Sequence, residues 1–494
     1  MDIIMICIAI KGPTLIDARK QLEEALPFAD LVELRLDGFT NLDIDGLRNL
    51  RLAFPIPMIF TLRSHQQGGS YSQSEERRLA DIRLLAELKP EYFDLENDVP
   101  PVFINEMSTF HPEIKMILSY HNFNEIPHDH DDIFHKMQKS PAHYYKIAVT
   151  PSNCIETLKF IAWAKKSNHL IGICMGAHGQ ICRILGPIIG CPITYAAIDE
   201  NQQTAPGQLS AKTLIEKYHH STLRPNSAVY GLIGDPVDKS ISDDTHNILI
   251  SEWKFDAVYV KILVKANEVE EFLQLAKQLP FAGLSVTMPL KELILPYLDK
   301  IDPHALKIGA VNTLVFKNSK IFGYNTDGLG ALNAIENATP VNGKQMVIIG
   351  AGGATKAIAY EALQRGAKVT ILNRHADKAA KVAAQLGCKS KALDEMAECA
   401  KVGYDILINC TPVEMPISAN DILPPAFVMD IKTKPKDSEL LKQAKEKGCH
   451  IIYGHQMFVE QAVGQFHLWF KDQIDVNKCR AFLNTQAEKC LSKH

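Results

Sequence analysis

The eleven cysteines are scattered and no two of them are spaced C-x-x-C, which speaks against a disulfide scaffold and a thiolate zinc cluster. An odd, dispersed set of thiols suits a reducing compartment. Excess charge is missing as well. Fifty-three basic residues against 57 acidic ones leave a net charge of -4, without the basic surplus that a nucleic-acid or membrane-surface partner requires. Long hydrophobic runs are also absent. The longest, 184–198 (ILGPIIGCPITYAAI), is interrupted by Gly and Pro and is too short to span a bilayer. The opening MDIIMICIAI carries no basic segment, cleavage site or transit-peptide character, so a cytoplasmic location is expected. What remains is an ordinary globular composition, 46% hydrophobic and 22% charged, in a 494-residue chain too long for one core.

In the first half, short apolar runs alternate with amphipathic stretches such as EERRLADIRLLAEL. Strands are predicted over 3–10, 31–36, 58–61, 92–95, 115–120, 143–148, 169–175 and 192–198. Eight strand–helix units match a (β/α)8 barrel, with a doubly wound open sheet as the alternative. Polar residues interrupt this pattern in a consistent place. Glu33 and Arg35 lie two apart on one strand and so share a face. Arg63, His121, Arg183 and Gln208 fall at or beyond strand ends, where barrel enzymes keep their active sites. Lys146 lies inside a strand. Desolvation favours its neutral amine, which can attack a carbonyl, but a lysine neutralised by Glu33 in a structural network fits the spacing equally. His121 gains meaning beside it, since a Schiff-base lysine with a general base can abstract a proton next to a carbonyl. The cluster PHDHDD (127–132) reads as a solvated loop leading into a helix, and no metal site is expected.

The runs LVELRLD, TLRSHQQGG, ILSYHNF, YYKIAVTP, GQICRILG and TAPGQLS, in that order, resemble type I 3-dehydroquinate dehydratase over residues 1–222. The resemblance implies that Lys146 forms an imine with the C3 ketone of 3-dehydroquinate. His121 then removes a C2 proton and passes it to the departing C1 hydroxyl. Arg183 holds the carboxylate, and Glu33, Arg35, Arg63 and Gln208 shape the pocket, with Thr204 where the family usually has Ser. Gln67 stands where a family glutamate pairs with the histidine. It lacks the charge to stabilise an imidazolium, so a lowered His121 pKa is expected, with faster turnover in Gln67→Glu.

An amphipathic helix follows APGQ, then a joint over 221–226 and a fresh strand, AVYGLIG. Ser240 and Ser242 precede a helical stretch, where hydroxyls serve equally as N-caps or as a carboxylate site. GLSVTMPLK, GAVNTL and GYNTDGLG set polar residues beside Gly and Pro turns; Lys291 and Asp327 are either a surface ion pair or an acid–base pair in a cleft. MVIIGAGGATKAIAYEALQRGAKVTILNR is a Rossmann βαβ unit with Gly350, Gly352 and Gly353 in the turn and Thr355 at the third small position. Asn373, Arg374, His375 and Lys378 stand where an NAD site needs an acid, so NADP is expected.

Together with INCTP and GHQMFVEQA, these motifs resemble shikimate dehydrogenase over the second half. By that resemblance Ser240 and Ser242 bind the shikimate carboxylate, and Lys291 and Asp327 act at the C3 oxygen. Thr287, Asn312 and Gln461 hold ring hydroxyls. Gly350, Ala351, Gly352, Gly353, Ala354, Asn373, Arg374, His375, Lys378 and Gly454 line the cofactor, with Ile431 as a further contact. Thr433 replaces a family tyrosine near the substrate carboxylate, and Lys432 adds a charge there.

The expectation is an α/β protein: a (β/α)8 barrel (1–222), a substrate-binding lobe (227–330), an NADP-binding Rossmann lobe (331–453) and a helical tail (454–494) returning to the substrate lobe. It would convert 3-dehydroquinate to 3-dehydroshikimate and then to shikimate, with small-molecule partners and neither nucleic acid nor membrane. A metabolite-binding pseudoenzyme and a quinate-specific second half are the alternatives. The first would have lost reactive groups that are present here, and the Ser-x-Ser with Thr287 speaks against the second.

Overall fold

The computed structural model describes residues 4–201, 205–225 and 227–492. Two compact units divide the chain, Met1–Ser227 and Ala228–His494.

Unit 1 is built on β1 (Met5–Ile10), β2 (Leu31–Arg35), β3 (Met58–Thr61), β4 (Tyr92–Glu96), β5 (Lys115–His121), β6 (Tyr144–Val149), β7 (Leu170–Cys174) and β8 (Ile193–Ala196). Every neighbour is parallel and the order runs β7-β6-β5-β4-β3-β2-β1-β8. The return of β8 to β1, with Cys7 opposite Tyr195, is barrel order and excludes the doubly wound alternative. Among the described residues no strand ladder joins β7 to β8; Arg183, just after β7, instead donates from Nη1 to the Tyr195 carbonyl at 3.0 Å. The predicted strands differ from these by a residue or two at their ends, as fraying ends do, and Ile3 lies outside the described residues. The helix after APGQ is not a regular α-helix: Thr213–Lys217 is wound as a π-helix. PHDHDD leads into the helix His130–Met137, whose Asp131 accepts from Trp163 Nε1 at 2.8 Å.

Unit 2 contains two sheets. The first joins β9 (Ala228–Gly234), β10 (Ala257–Leu263), β11 (Phe281–Val286), β12 (Lys300–Ile301), β13 (Thr313–Lys317) and β14 (Lys320–Tyr324) in the order β10-β9-β11-β13-β14-β12. The second joins β15 (Gln345–Ile349), β16 (Lys368–Asn373), β17 (Lys389–Ala392), β18 (Ile406–Asn409), β19 (Phe427–Asp430) and β20 (His450–Tyr453) in the order β17-β16-β15-β18-β19-β20. That second sheet is all parallel, and its strand order reverses between β15 and β18. Both of its faces are covered. Met346 and Ile348 pack into one core while Val347 and Ile349 pack into another, which is why β15 reads as an unbroken apolar run.

One close approach fixes the helices around the cleft of unit 2. A Cβ on Gly330 would lie 2.7 Å from the Gln461 Cβ and backbone N, so only glycine lets the helices Asp327–Glu336 and Gly454–Phe470 cross there. The second helix then sends Val459, Val463, Phe466 and Phe470 into the core of the first sheet, beside Tyr230 and Tyr259. The last residues before 492 therefore pack on the sheet with which the unit begins.

Candidate active sites

Alternation on β2 to β6 gathers the polar residues of unit 1 at one end of the barrel. Lys146 is 2% exposed and its Nζ contacts Asp94 Oδ2, with Glu33 Oε1 at 3.7 Å. Its amine also donates to the Tyr195 hydroxyl at 3.4 Å and lies 4.7 Å from the centre of that ring. Asp94 is the hub. Arg63 Nη2 donates to its Oδ1 at 2.9 Å, and Ser119 Oγ donates to the same oxygen at 2.6 Å. Burial pushes the Asp94 carboxyl up, but Arg63 and Lys146 outweigh it and hold it below its ordinary value.

Glu33 accepts from Thr61 Oγ1 at 2.8 Å, while Arg35 is clamped by both oxygens of Asp37 at 3.0 Å. Arg63 also directs Nη1 at His121 Nδ1, 3.2 Å away. A guanidinium can only donate, so Nδ1 is the acceptor and the imidazole is neutral. Burial first, and the charges of Arg63, Lys146 and Arg35 after it, lower the His121 pKa well below 6.5, in the direction expected from the sequence.

Gln67 does not meet the His121 ring. Its Oε1 accepts the His121 backbone N–H at 3.3 Å, and its Nε2 donates to Asp98 Oδ2 at 3.1 Å. A glutamate there loses that donor and faces a second carboxylate, so Gln67→Glu is not the simple gain read from sequence.

Arg183 is 4% exposed, and among the described residues no carboxylate pairs with it and its Nε has no partner. A buried guanidinium in that condition is suited to an anion from outside the chain. Gln208 is buried on the 205–208 loop, where its N–H bonds the Ala205 carbonyl at 3.3 Å. Thr204 lies outside the described residues.

In unit 2, Lys291 Nζ and Asp327 Oδ2 are 2.5 Å apart, with side chains 18% and 5% exposed. The pair is largely withdrawn from solvent and is not a surface ion pair. Asn312 Nδ2 donates to Asp327 Oδ1 at 2.9 Å and reaches Gln461 Oε1 at 3.4 Å. Ser240 and Ser242 are joined through their hydroxyls at 2.9 Å, and Ser240 Oγ accepts the Ser242 N–H at 3.2 Å. The residue preceding the helix Ser242–Glu252 is Ile241, which offers no side-chain cap, so neither serine is an N-cap. A Cβ on Gly234 would lie 2.3 Å from Thr287 Cγ2, which places Thr287 at the mouth of β9.

The glycine turn abuts this pair. A Cβ on Gly353 would lie 3.1 Å from Lys291 Cβ, whereas one on Gly352 would meet nothing within 4 Å. Gly350 has φ 125°, a conformation open to glycine, and Ala351 and Ala354 are half-buried beside it. No side chain caps the helix Gly353–Gln364. Its first N–H groups remain for a pyrophosphate. At the end of β16, Asn373 Nδ2 donates to the His375 carbonyl at 3.1 Å, and Arg374, His375 and Lys378 are exposed. Among the described residues neither Arg374 nor Lys378 has an ion-pair partner, as a site for a ribose 2′-phosphate requires. The arrangement therefore fits NADP.

At the far corner Lys432 is not free. It donates to Glu414 Oε1 at 2.9 Å and to the Val413 carbonyl at 3.2 Å. Thr433 is half-buried, Ile431 packs against the Rossmann core, and a Cβ on Gly454 would collide with the Lys432 carbonyl at 2.1 Å. Among the described residues no cluster of three or more His, Cys, Asp or Glu is arranged to hold a metal.

Sequence reasoning missed Asp94, Ser119 and Tyr195. Asp94 and Glu96, two acids with one face on a buried strand, were the available signal for the first. Asp94→Asn removes the charge facing two buried cations, which costs about 3–5 kcal/mol. The folded carboxyl titrates below its unfolded value, so its stabilisation is complete above about pH 4 and is lost as pH falls through the folded value. Denaturant titration of D94N at pH 7 should show that deficit, narrowing below about pH 4; parental stability at pH 7 would contradict the hub role.

Residues 6–225 match the family model of type I 3-dehydroquinase, 232–314 that of the shikimate dehydrogenase substrate binding domain, and 333–438 that of shikimate / quinate 5-dehydrogenase. The shikimate biosynthesis protein AroDE of Chlamydia pneumoniae is 40% identical over 487 residues, 97% of this chain and 98% of its own. The chloroplastic bifunctional 3-dehydroquinate dehydratase/shikimate dehydrogenase of Arabidopsis thaliana is 35% identical over 469 residues, covering 89% of this chain and 77% of that protein. A crystal structure of a shikimate dehydrogenase in complex with NADP+ is 33% identical, with TM-score 0.50, over 54% of this chain and 97% of that chain. With both halves matched in one chain and in this order, the protein belongs to the family of bifunctional 3-dehydroquinate dehydratase/shikimate dehydrogenases.

Proposed function

We propose that residues 1–222 dehydrate 3-dehydroquinate to 3-dehydroshikimate and that residues 227–494 reduce this product to shikimate with NADPH. The observation that carries the reading is a pair of lysine–aspartate contacts, Lys146–Asp94 in the barrel and Lys291–Asp327 against the glycine turn.

In the barrel, Lys146 Nζ attacks the C3 ketone and water leaves to give the imine, which makes the C2 protons acidic. Neutral His121 takes one of them and returns it to the C1 hydroxyl, which departs as water; hydrolysis of the imine frees Lys146. Arg183 binds the substrate carboxylate, and its unpartnered Nε supports that role. Glu33, Arg35, Arg63, Gln208 and Thr204 line the ring hydroxyls.

In the second unit, 227–330 binds the substrate, 331–453 the cofactor, and 454–494 returns Gln461 to the substrate. NADPH held at the glycine turn would supply the hydride. Lys291 delivers the proton to the C3 oxygen, with Asp327 holding its ammonium in place. Ser240 and Ser242 receive the carboxylate, Thr287, Asn312 and Gln461 the hydroxyls, and Thr433 lies at the corner where the family has tyrosine. Gly350, Ala351, Gly352, Gly353, Ala354, Ile431 and Gly454 flank the cofactor, and Asn373, Arg374, His375 and Lys378 take its 2′-phosphate. Among the described residues no helix is long and apolar enough to cross a membrane. None of the eleven cysteines is in a disulfide, which supports the cytoplasm as the compartment.

Dehydroquinate mixed with NADPH should consume NADPH after a lag while dehydroshikimate accumulates. Lys291→Ala should slow that consumption by about 100-fold or more and leave the dehydration rate, read by enone absorbance, at the parental value. Joint loss of both activities would contradict a chain with two sites.

A second outcome concerns pH. His121 titrates well below 6.5 in the folded protein, so it stays neutral and competent as a base under mildly acidic conditions. The acid limb of kcat/KM for dehydration is expected below pH 6.5. A limb at or above 6.5 would show that the imidazole in the free enzyme is not held neutral.

A further inference from the structure

We propose that Thr313 and Gln465 are positioning residues for the dehydrogenase reaction, setting through a one-way chain of buried hydrogen bonds the orientation in which Asn312 holds Asp327. The inference rests on the assignment of Asp327 and Lys291 as the reacting pair.

The direction of each bond follows from fixed backbone groups. Asn312 Oδ1 faces the backbone N–H of Thr326 at 2.8 Å, a donor that cannot be reversed. That oxygen is therefore the acceptor, and Asn312 Nδ2 is the group directed at Asp327 Oδ1, 2.9 Å away. Gln465 Nε2 faces the backbone carbonyl of Asn312 at 3.2 Å, an acceptor that cannot be reversed either.

The hydroxyls must then comply. Thr313 Oγ1 lies 2.7 Å from Asn312 Oδ1 and spends its single hydrogen there. Its lone pair accepts from Gln465 Nε2 at 3.1 Å. With Nε2 so engaged, Gln465 Oε1 accepts from Ser285 Oγ at 2.9 Å, and Ser285 in turn accepts from the Tyr259 hydroxyl at 2.8 Å. Burial pushes the Tyr259 phenol well above its ordinary range, so the terminal donor keeps its proton.

The chain runs Tyr259, Ser285, Gln465, Thr313, Asn312, Asp327, and all six residues are buried. It leaves Asp327 Oδ1 occupied by the Asn312 amide and Oδ2 for Lys291 at 2.5 Å. Neither Thr313 nor Gln465 touches Asp327. They act on it through Asn312: the Thr313 hydroxyl, held by Gln465, is a second donor to the oxygen that the Thr326 N–H already engages, beside the 2.9 Å bond from Asn312 Nδ2 to Thr326 Oγ1, in a low-dielectric setting where a misdirected dipole has no water to correct it.

The test uses the full-length chain, whose dehydratase activity reports on the integrity of the same sample. Thr313→Val removes the hydroxyl at nearly constant volume. Gln465→Glu replaces the donor with a second acceptor, which draws the Thr313 hydrogen away from Asn312. Each should lower kcat for dehydroshikimate reduction about tenfold or more, since misplacement on this scale costs rate steeply. The KM for NADPH and the dehydration rate should stay at parental values. Thr313→Ser, which keeps the hydroxyl, should restore kcat to within about twofold. If both Thr313→Val and Gln465→Glu retain parental kcat, or if Thr313→Ser is as slow as Thr313→Val, the proposal is overturned. A fall in kcat for Gln465→Glu with a matching rise in the KM for NADPH would likewise overturn it, by showing displacement of the helix Gly454–Phe470 instead of misdirection of Asn312. In every case the assignment of Lys291 is judged separately, by Lys291→Ala.

Discussion

A lysine withdrawn from water needs a carboxylate beside it, and this requirement organises both units. Moving an ammonium into the interior costs several kcal/mol unless an anion with its own hydrogen bonds compensates. In the barrel, Asp94 meets that need for Lys146 and is itself held by Arg63 and Ser119. In the second unit, Asp327 meets it for Lys291 and is held by Asn312. The surroundings then separate the chemistry. Lys146 lies almost fully buried beside the Tyr195 ring, a setting that would shelter the proposed covalent bond to substrate from water. Lys291 is partly open and lies against Gly353, a setting that suits the proton transfer proposed for it.

Each fold delivers its charged residues to the place where its architecture is open. The barrel does so along β2 to β6, where inward-facing residues of neighbouring parallel strands converge on Lys146 and Asp94. The second unit does so where the strand order of its parallel sheet reverses, between β15 and β18, with Lys291 brought against the Gly350–Gly353 turn from the first sheet. Glycine makes that approach possible, since a side chain at Gly353 would press on Lys291 and one at Gly330 would part the helices that carry Asp327 and Gln461.

Much of this was legible in the sequence because charge and periodicity conflict visibly. A lysine inside YYKIAV and an arginine after LVEL stand out from apolar strands, and the GAGGA turn between two buried runs admits few readings. Barrel closure was not legible, because pairing of β8 with β1 depends on contacts nearly two hundred residues apart. Two acids on one face of a buried strand were a signal, but sequence could not say that Glu96 serves Arg78 while Asp94 meets Lys146. Ser285 and Thr313 lie inside the GLSVTMPLK and GAVNTL runs, yet no role could be read for them or for Gln465, because neutral polar side chains suit surface and core alike until their partners are known. The π-wound segment Thr213–Lys217 was equally hidden, since its periodicity is that of a helix and only its hydrogen bonds differ.

The covalent role of Lys146 is where the account stands or fails. Borohydride added to the full-length protein with 3-dehydroquinate reduces any imine to a stable secondary amine, and peptide mass mapping locates it. The account predicts a substrate-derived adduct on the peptide containing Lys146 and loss of dehydratase activity, with NADPH-dependent reduction of added dehydroshikimate retained. An unmodified Lys146 peptide, or an adduct confined to another lysine, would contradict it.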